Sequence, residues 1–202
     1  MVSLRTALAA AAGAWLSLGS APVSAAPEPS LRAVKAAAAK YRDVKFAIAE
    51  GFTTDGKCTT AEMLGYPASQ GAMGLHYVRK DLLGIGPPAP GRVKGTGTYT
   101  DFRKPSMLVY EPQADGSLRL VAVENLVFQS AWSAAGHANP PRFHGMRYVL
   151  LKDDPKTAVD EAHNFEPHYE LHVWSYRRNS IGMFAEFNPQ VTCRHNKTPA
   201  HM

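Results

Sequence analysis

The segment His163–Tyr176, HNFEPHYELHVWSY, holds three histidines (His163, His168 and His172) and two carboxylates (Glu166 and Glu170) within ten residues. Imidazole and carboxylate are the nitrogen and oxygen donors that zinc, manganese, iron and copper accept. From His168 to Tyr176 polar and apolar side chains alternate, which predicts a strand. One face then carries His168, Glu170, His172, Trp174 and Tyr176, and the other Tyr169, Leu171, Val173 and Ser175. His168 and His172 would stand about 13 Å apart along that strand and cannot share one ion. His163 falls in a loop. His172 is thus the ligand candidate of the segment, with Glu170 either a ligand on a bent strand or a support for the His172 ring.

Its partners must come from other elements. The stretch LRLVAVENLVFQ (118–129) is apolar on both faces, as a central strand covered on both sides would be. Glu124 interrupts it. A carboxylate there is costly unless it is paired, hydrogen-bonded or bound to metal. The bland explanation is an ion pair with Arg147 or Arg177. His76 sits in a second short strand, MGLHYV. Together His76, Glu124, Glu170 and His172 form a nitrogen/oxygen ligand set for a divalent transition metal (Zn, Cu, Mn or Fe). Met73, Met107, Met146 and Met183 are scattered and read as core filler.

Two other functions compete. Tyr77, Tyr110, Trp174 and Tyr176, with Glu111 at the rim, would make a metal-free aromatic pocket for a small apolar or sugar-like ligand. Alternatively Glu124 acts as the base of a hydrolase or lyase-type enzyme, with a histidine as acid. The chain has no HExxH helix, no G-x-S-x-G elbow and no phosphate-cradling P-loop.

The elements that must position these groups can be read in outline. Apolar residues at three- and four-residue steps predict a helix over 31–51, capped by Ser30 and stopped at Gly51. Strands are expected at 73–78, 106–112, 118–129, 146–152 and 168–178, and Asp115-Gly116 marks a hairpin. A short helix is expected over 155–162, and the Gly/Pro-rich stretch 84–105 is a long loop. The order predicts an α+β fold, with the N-terminal helix packed on a curled, mainly antiparallel sheet; a closed β-barrel is the alternative.

The N-terminal sequence carries one early charge, Arg5, an apolar run from Ala7 to Leu18, and Val23-Ser24-Ala25. That is the pattern of a cleaved secretory signal over 1–26. The apolar run is too short to span a bilayer, which takes ~20 residues. One domain over 27–193 and a flexible tail over 194–202 are expected, in a periplasmic or secreted protein with no membrane span after signal removal. Its two cysteines, Cys58 and Cys193, then predict one disulfide. Thiolates are thereby removed from any metal site. With 22 Lys+Arg against 17 Asp+Glu and no concentrated basic stripe, nucleic acid is excluded as a partner. A metal ion or small ligand is the expected partner; the oligomeric state is not readable.

The motifs GAMGLHYV, LVYEP, LVAVE, YELHVW and NSIGMFAEFNPQVTC, over about residues 40–193, resemble a family of exported bacterial proteins to which no activity is attached. The resemblance implies export. It also implies that His76, Glu111, Glu124, Glu170, His172, Trp174 and the two cysteines belong to one constellation. The segment 84–98 departs from the pattern, so the resemblance implies no lid role for it.

Overall fold

The computed structural model describes residues 27–197. The expected signal segment 1–26 and the last five residues of the expected tail, 198–202, lie outside the described residues.

The N-terminal stretch is helical but not one helix. α1 spans Leu31–Ala37, a 3-10 turn spans Ala39–Arg42, and α2 spans Val44–Ala49. Ser30 caps α1 as expected, its hydroxyl accepting from the Ala33 N–H at 3.2 Å. The break comes at Asp43. Its backbone is extended (φ −94°, ψ 112°), and its carboxylate accepts from the Lys45 N–H at 3.0 Å, starting a new helix. The kink re-aims the apolar stripe. Val34, Ala38, Tyr41 and Ala47 are buried in one cluster with Leu75, Tyr77, Leu108 and Tyr110. Ile48, an apolar residue of α2, is 55% exposed.

The strands are β1 (Cys58–Thr60), β2 (Ala72–Val78), β3 (Met107–Pro112), β4 (Leu118–Phe128), β5 (Arg142–Phe143), β6 (Met146–Arg147), β7 (Val149–Leu151) and β8 (His168–Val173). Six of them form one antiparallel sheet in the order β1-β2-β3-β4-β8-β7, and β5 and β6 make a separate two-stranded ribbon. The sheet curls into a half-barrel with β1 and β7 as its two edges. The closed barrel is therefore set aside. The expected strand 146–152 divides at Tyr148, which turns inward to pack near Phe102 and Phe143 while its neighbours serve different sheets. The expected helix 155–162 is a series of turns instead; Asp154 caps the first of them, accepting from the Lys156 N–H at 2.9 Å.

β3 and β4 form the predicted hairpin. Gly116 takes the left-handed conformation (φ 85°) that its turn requires. β4 lies mid-sheet and is buried from Leu120 to Phe128, as a strand covered on both faces must be. A β-bulge interrupts the β3–β4 register, with Val109 facing Ala122 but Tyr110 facing Leu120. Strict alternation puts Leu120 and Ala122 on one face. The bulge moves Leu120 to the cluster of Tyr77, Tyr110 and Val123, and leaves Val121 and Ala122 together on the opposite side.

That opposite side is roofed by loops. Leu83, Met107, Leu126 and Phe128 form a cluster there, against which Ile85, Val93 and Phe165 pack. The long segment 84–105 is fastened down: the Val93 N–H donates to Asn164 O at 2.9 Å and the Glu166 N–H to Val93 O at 2.8 Å. Cys58 and Cys193 form the expected disulfide, with Cα atoms 5.7 Å apart.

Candidate metal centre

The pairing of β4 with β8 places Glu124 directly opposite His172, Leu126 opposite Glu170, and Phe128 opposite His168. Side chains that face one another across an antiparallel pair stand ~5 Å apart at Cβ, so Glu124 and His172 meet by register alone. His76 comes from β2, with β3 lying between it and β4. The curl of the sheet and the length of both side chains bring them together. His76 Nε2 is 3.2 Å from Glu124 Oε2, and His172 Nε2 is 3.3 Å from the same oxygen.

These distances are short, yet neither contact has hydrogen-bond geometry. His76 Nε2, His172 Nε2 and both Glu124 oxygens are buried without a hydrogen-bond partner. The three groups are close together but not joined by hydrogen bonds. Four-coordinate zinc with bonds of 2.0–2.2 Å separates neighbouring ligand atoms by about 3.3 Å. The three donor atoms lie within 4.8 Å of one another, and the two contacts to Glu124 match that edge.

Electrostatics point the same way. Glu124 is fully buried and His172 nearly so. Burial, and then the neighbouring charge of His76, pushes the His172 imidazole down to about 4 against the opposing pull of Glu170. His172 is thus a neutral lone-pair donor at neutral pH. For His76, burial disfavours charge, but the carboxylates of Glu124, Glu170 and Asp55 outweigh it, and its pKa is raised. The site asks for positive charge beside Glu124, which a proton on His76 or a divalent ion supplies. The expected arginine partners are elsewhere. Arg147 is exposed on β6, and Arg177 donates to Gln190 O at 2.8 Å.

Glu170 lies beside this group, not in it. Its Oε1 is 3.8 Å from His172 Nδ1. Its Oε2 faces a second pair of imidazoles, 3.2 Å from His168 Nε2 and 3.8 Å from His163 Nε2. Spacing along one strand sets His168 apart from His172, and a loop position sets His163 apart, yet the fold gives the two a carboxylate of their own. The density of HNFEPH was the signal for a second group. His163 and Asn164 adopt left-handed backbone (φ 36° and 73°) in a turn held by His163 N–H to Asp160 O at 3.0 Å. Arg92 clamps that turn, donating to Phe165 O at 2.9 Å and pairing with Asp160 at 2.9 Å and with Asp153.

The residues considered for an aromatic pocket are divided between the two faces of the sheet. Tyr77 and Tyr110 pack edge to face, ring centroids 5.1 Å apart, and the Tyr110 hydroxyl donates to Tyr41 O at 2.7 Å. Trp174 lies on the histidine side, stacked on His172 at 5.6 Å, with its indole N–H given to Ala185 O. Tyr176 packs with the Tyr77 side, its hydroxyl bonded to Lys35 O. Glu111 accepts from the Thr192 N–H at 3.2 Å and so anchors the C-terminal segment.

Glu186 is a group the sequence did not flag, because it lies in a stretch without periodicity. It is half-buried, and its Oε1 has no hydrogen-bond partner. Burial, then the charges of Glu170 and Glu124, pushes its carboxyl up to about 8. A cavity of about 260 Å³ reaches the site from the side of β1, lined by Thr53, Lys57, Thr59, Lys80, His76 and His163 among others. Comparison with family models, with curated proteins and with solved structures finds no match to this chain.

Proposed function

We propose that this chain is an exported metal-binding protein in which His76, Glu124 and His172 hold a zinc-type divalent ion. The observation that carries this reading is Glu124, a fully buried carboxylate whose two oxygens lack hydrogen bonds and whose Oε2 stands 3.2 and 3.3 Å from two imidazole nitrogens. A buried charge of this kind persists when paired or when it coordinates a metal. Two nitrogens and one oxygen suit zinc, with copper, manganese and iron as the other members of the set. Three protein ligands leave a further coordination position, and His76 borders the cavity. Export is supported by the disulfide and by the absence, among the described residues, of any helix long and apolar enough to cross a membrane. Membership of the exported bacterial family suggested by the GAMGLHYV, YELHVW and NPQVTC motifs is part of the same proposal.

The test is zinc titration of chelator-stripped protein. Zinc at a thousandfold above its Kd stabilises by about 4 kcal/mol. In a chain of this size that raises the Tm by roughly 8–16 °C. Glu124→Gln keeps the shape and removes the charge, and the rise is expected to shrink. An equal rise in wild type and Glu124→Gln would overturn the site.

The cavity beside His76 favours a second reading, in which an ion bound here activates water for hydrolysis, as three-ligand zinc sites do. Glu124 would then be a ligand and not a free base. Zinc-dependent turnover of ester or phosphoester substrates, lost in Glu124→Gln, is the outcome that supports it.

A further inference from the structure

We propose that His163, His168 and Glu170 form a second divalent-cation site, so that two ions lie side by side beneath one cavity. The site itself stands on its own residues; only the pairing rests on the reading of His76, Glu124 and His172.

The three side chains are buried, and their donor atoms lie within 4.8 Å of one another. The tautomer of His168 is set from outside the group. Its Nδ1 is 2.9 Å from Glu166 O, and a carbonyl can only accept, so Nδ1 carries the proton. Nε2 is then the ring atom that faces Glu170 Oε2, an acceptor, at 3.2 Å. A cation shared between the two, a proton or a metal ion, holds them together. A backbone carbonyl on the far ring nitrogen is also how metal-ligating histidines are commonly held. His163 Nε2, 3.8 Å from the same carboxylate oxygen, has no hydrogen-bond partner. It supplies the third donor.

The two groups are joined in two ways. Glu170 points one oxygen at His168 and His163, and the other at His172. The rings of His76 and His163, one from each group, stack with centroids 6.2 Å apart, and both line the cavity. A ligand entering there meets both sites together. Lys57 and Lys80 on the cavity wall suit a small oxyanion-bearing ligand. The donor set selects zinc, cobalt or copper over calcium or magnesium, which prefer all-oxygen sites.

The experiment is metal stoichiometry on the full, disulfide-bonded chain. Stripped protein is titrated with Zn²⁺, freed of excess by gel filtration and assayed for zinc by mass spectrometry. Wild type is expected to hold two ions per chain. His163→Asn, which tolerates the left-handed backbone, and Glu170→Gln are each expected to hold one, as is His172→Asn. Circular dichroism of each stripped variant confirms folding, and the two substitutions in the second group guard against one that fails. One ion, lost in His172→Asn but kept in His163→Asn and Glu170→Gln, overturns the second site and leaves the first. One ion with the reverse dependence keeps this site and removes the first. One ion lost in all three is a single shared site and overturns the proposal, and no ion in wild type overturns both.

Discussion

Glu124 is the residue on which the proposed metal site turns. Its burial was legible because a carboxylate interrupts a strand that is otherwise apolar on both faces. The same apolar burial lowers the His172 pKa and makes that ring a lone-pair donor. Glu186 gives this environment a pH signature. Its folded pKa of about 8 lies above the ordinary carboxyl value of 4.5. Between those values the folded chain keeps a proton that the unfolded chain releases. Stability from this group is therefore present below pH 4.5 and is lost as pH rises to about 8. In chelator-treated protein, Glu186→Gln is expected to match wild type near pH 4.5 and to melt several degrees higher at pH 8. A wild-type Tm that falls no more steeply than that of Glu186→Gln across this window would contradict the assignment.

At the level of elements, the histidine face depends on close contact between β2 and β3. Gly74, two residues before His76, has φ 120°, and a Cβ there would lie 2.7 Å from Tyr110 O and 2.9 Å from a Val109 methyl. Gly74→Ala adds both backbone strain and a clash with main chain, so β2 must move. A loss of about 1–3 kcal/mol is expected in denaturant unfolding. Zinc affinity should weaken with it, because His76 shifts away from Glu124. The disulfide ties the start of β1, an edge strand of the same sheet, to the C-terminal segment across 135 residues. In the chain-entropy model a loop of that length stabilises by about 5 kcal/mol. Replacing both cysteines by serine should therefore lower the Tm by roughly 10–20 °C. A double variant that melts like wild type would show that the C-terminal segment is held by other contacts, of which Thr192 to Glu111 is one.

Over the whole molecule, segment 84–105 is a structural clamp rather than a free loop. Arg92 reaches across to Asp153, Asp160 and the Phe165 carbonyl, fixing the turn that presents His163. Arg92→Ala is expected to raise amide exchange over residues 160–166 and to weaken the second zinc equivalent while the first is retained. Equal weakening of both would mean that the clamp supports the fold at large. The resemblance implied no lid role for 84–98. The contacts of Val93 and Arg92 give the segment a different task, closing the histidine face against solvent.

The sequence by itself determined what depends on local order. Apolar runs marked the strands between 107 and 128, period-2 alternation marked that from 168 to 173, Asp115-Gly116 marked the hairpin, and two cysteines behind an expected secretory signal marked the bridge. It also singled out Glu124, His76 and His172, since a polar group inside an apolar strand is visible in one dimension. It missed the break at Asp43, where side-chain capping competes with helix continuation, and the bulge near Tyr110, which alters which side chains share a face. Only the tertiary structure decided which groups meet. Register puts Glu124 against His172, sheet curl carries His76 over β3, and a left-handed turn clamped from a distant loop swings His163 onto Glu170. Each of those contacts joins residues far apart in sequence or turned by the fold. Spacing fixes distances along one strand; the pairing between strands decides which side chains converge.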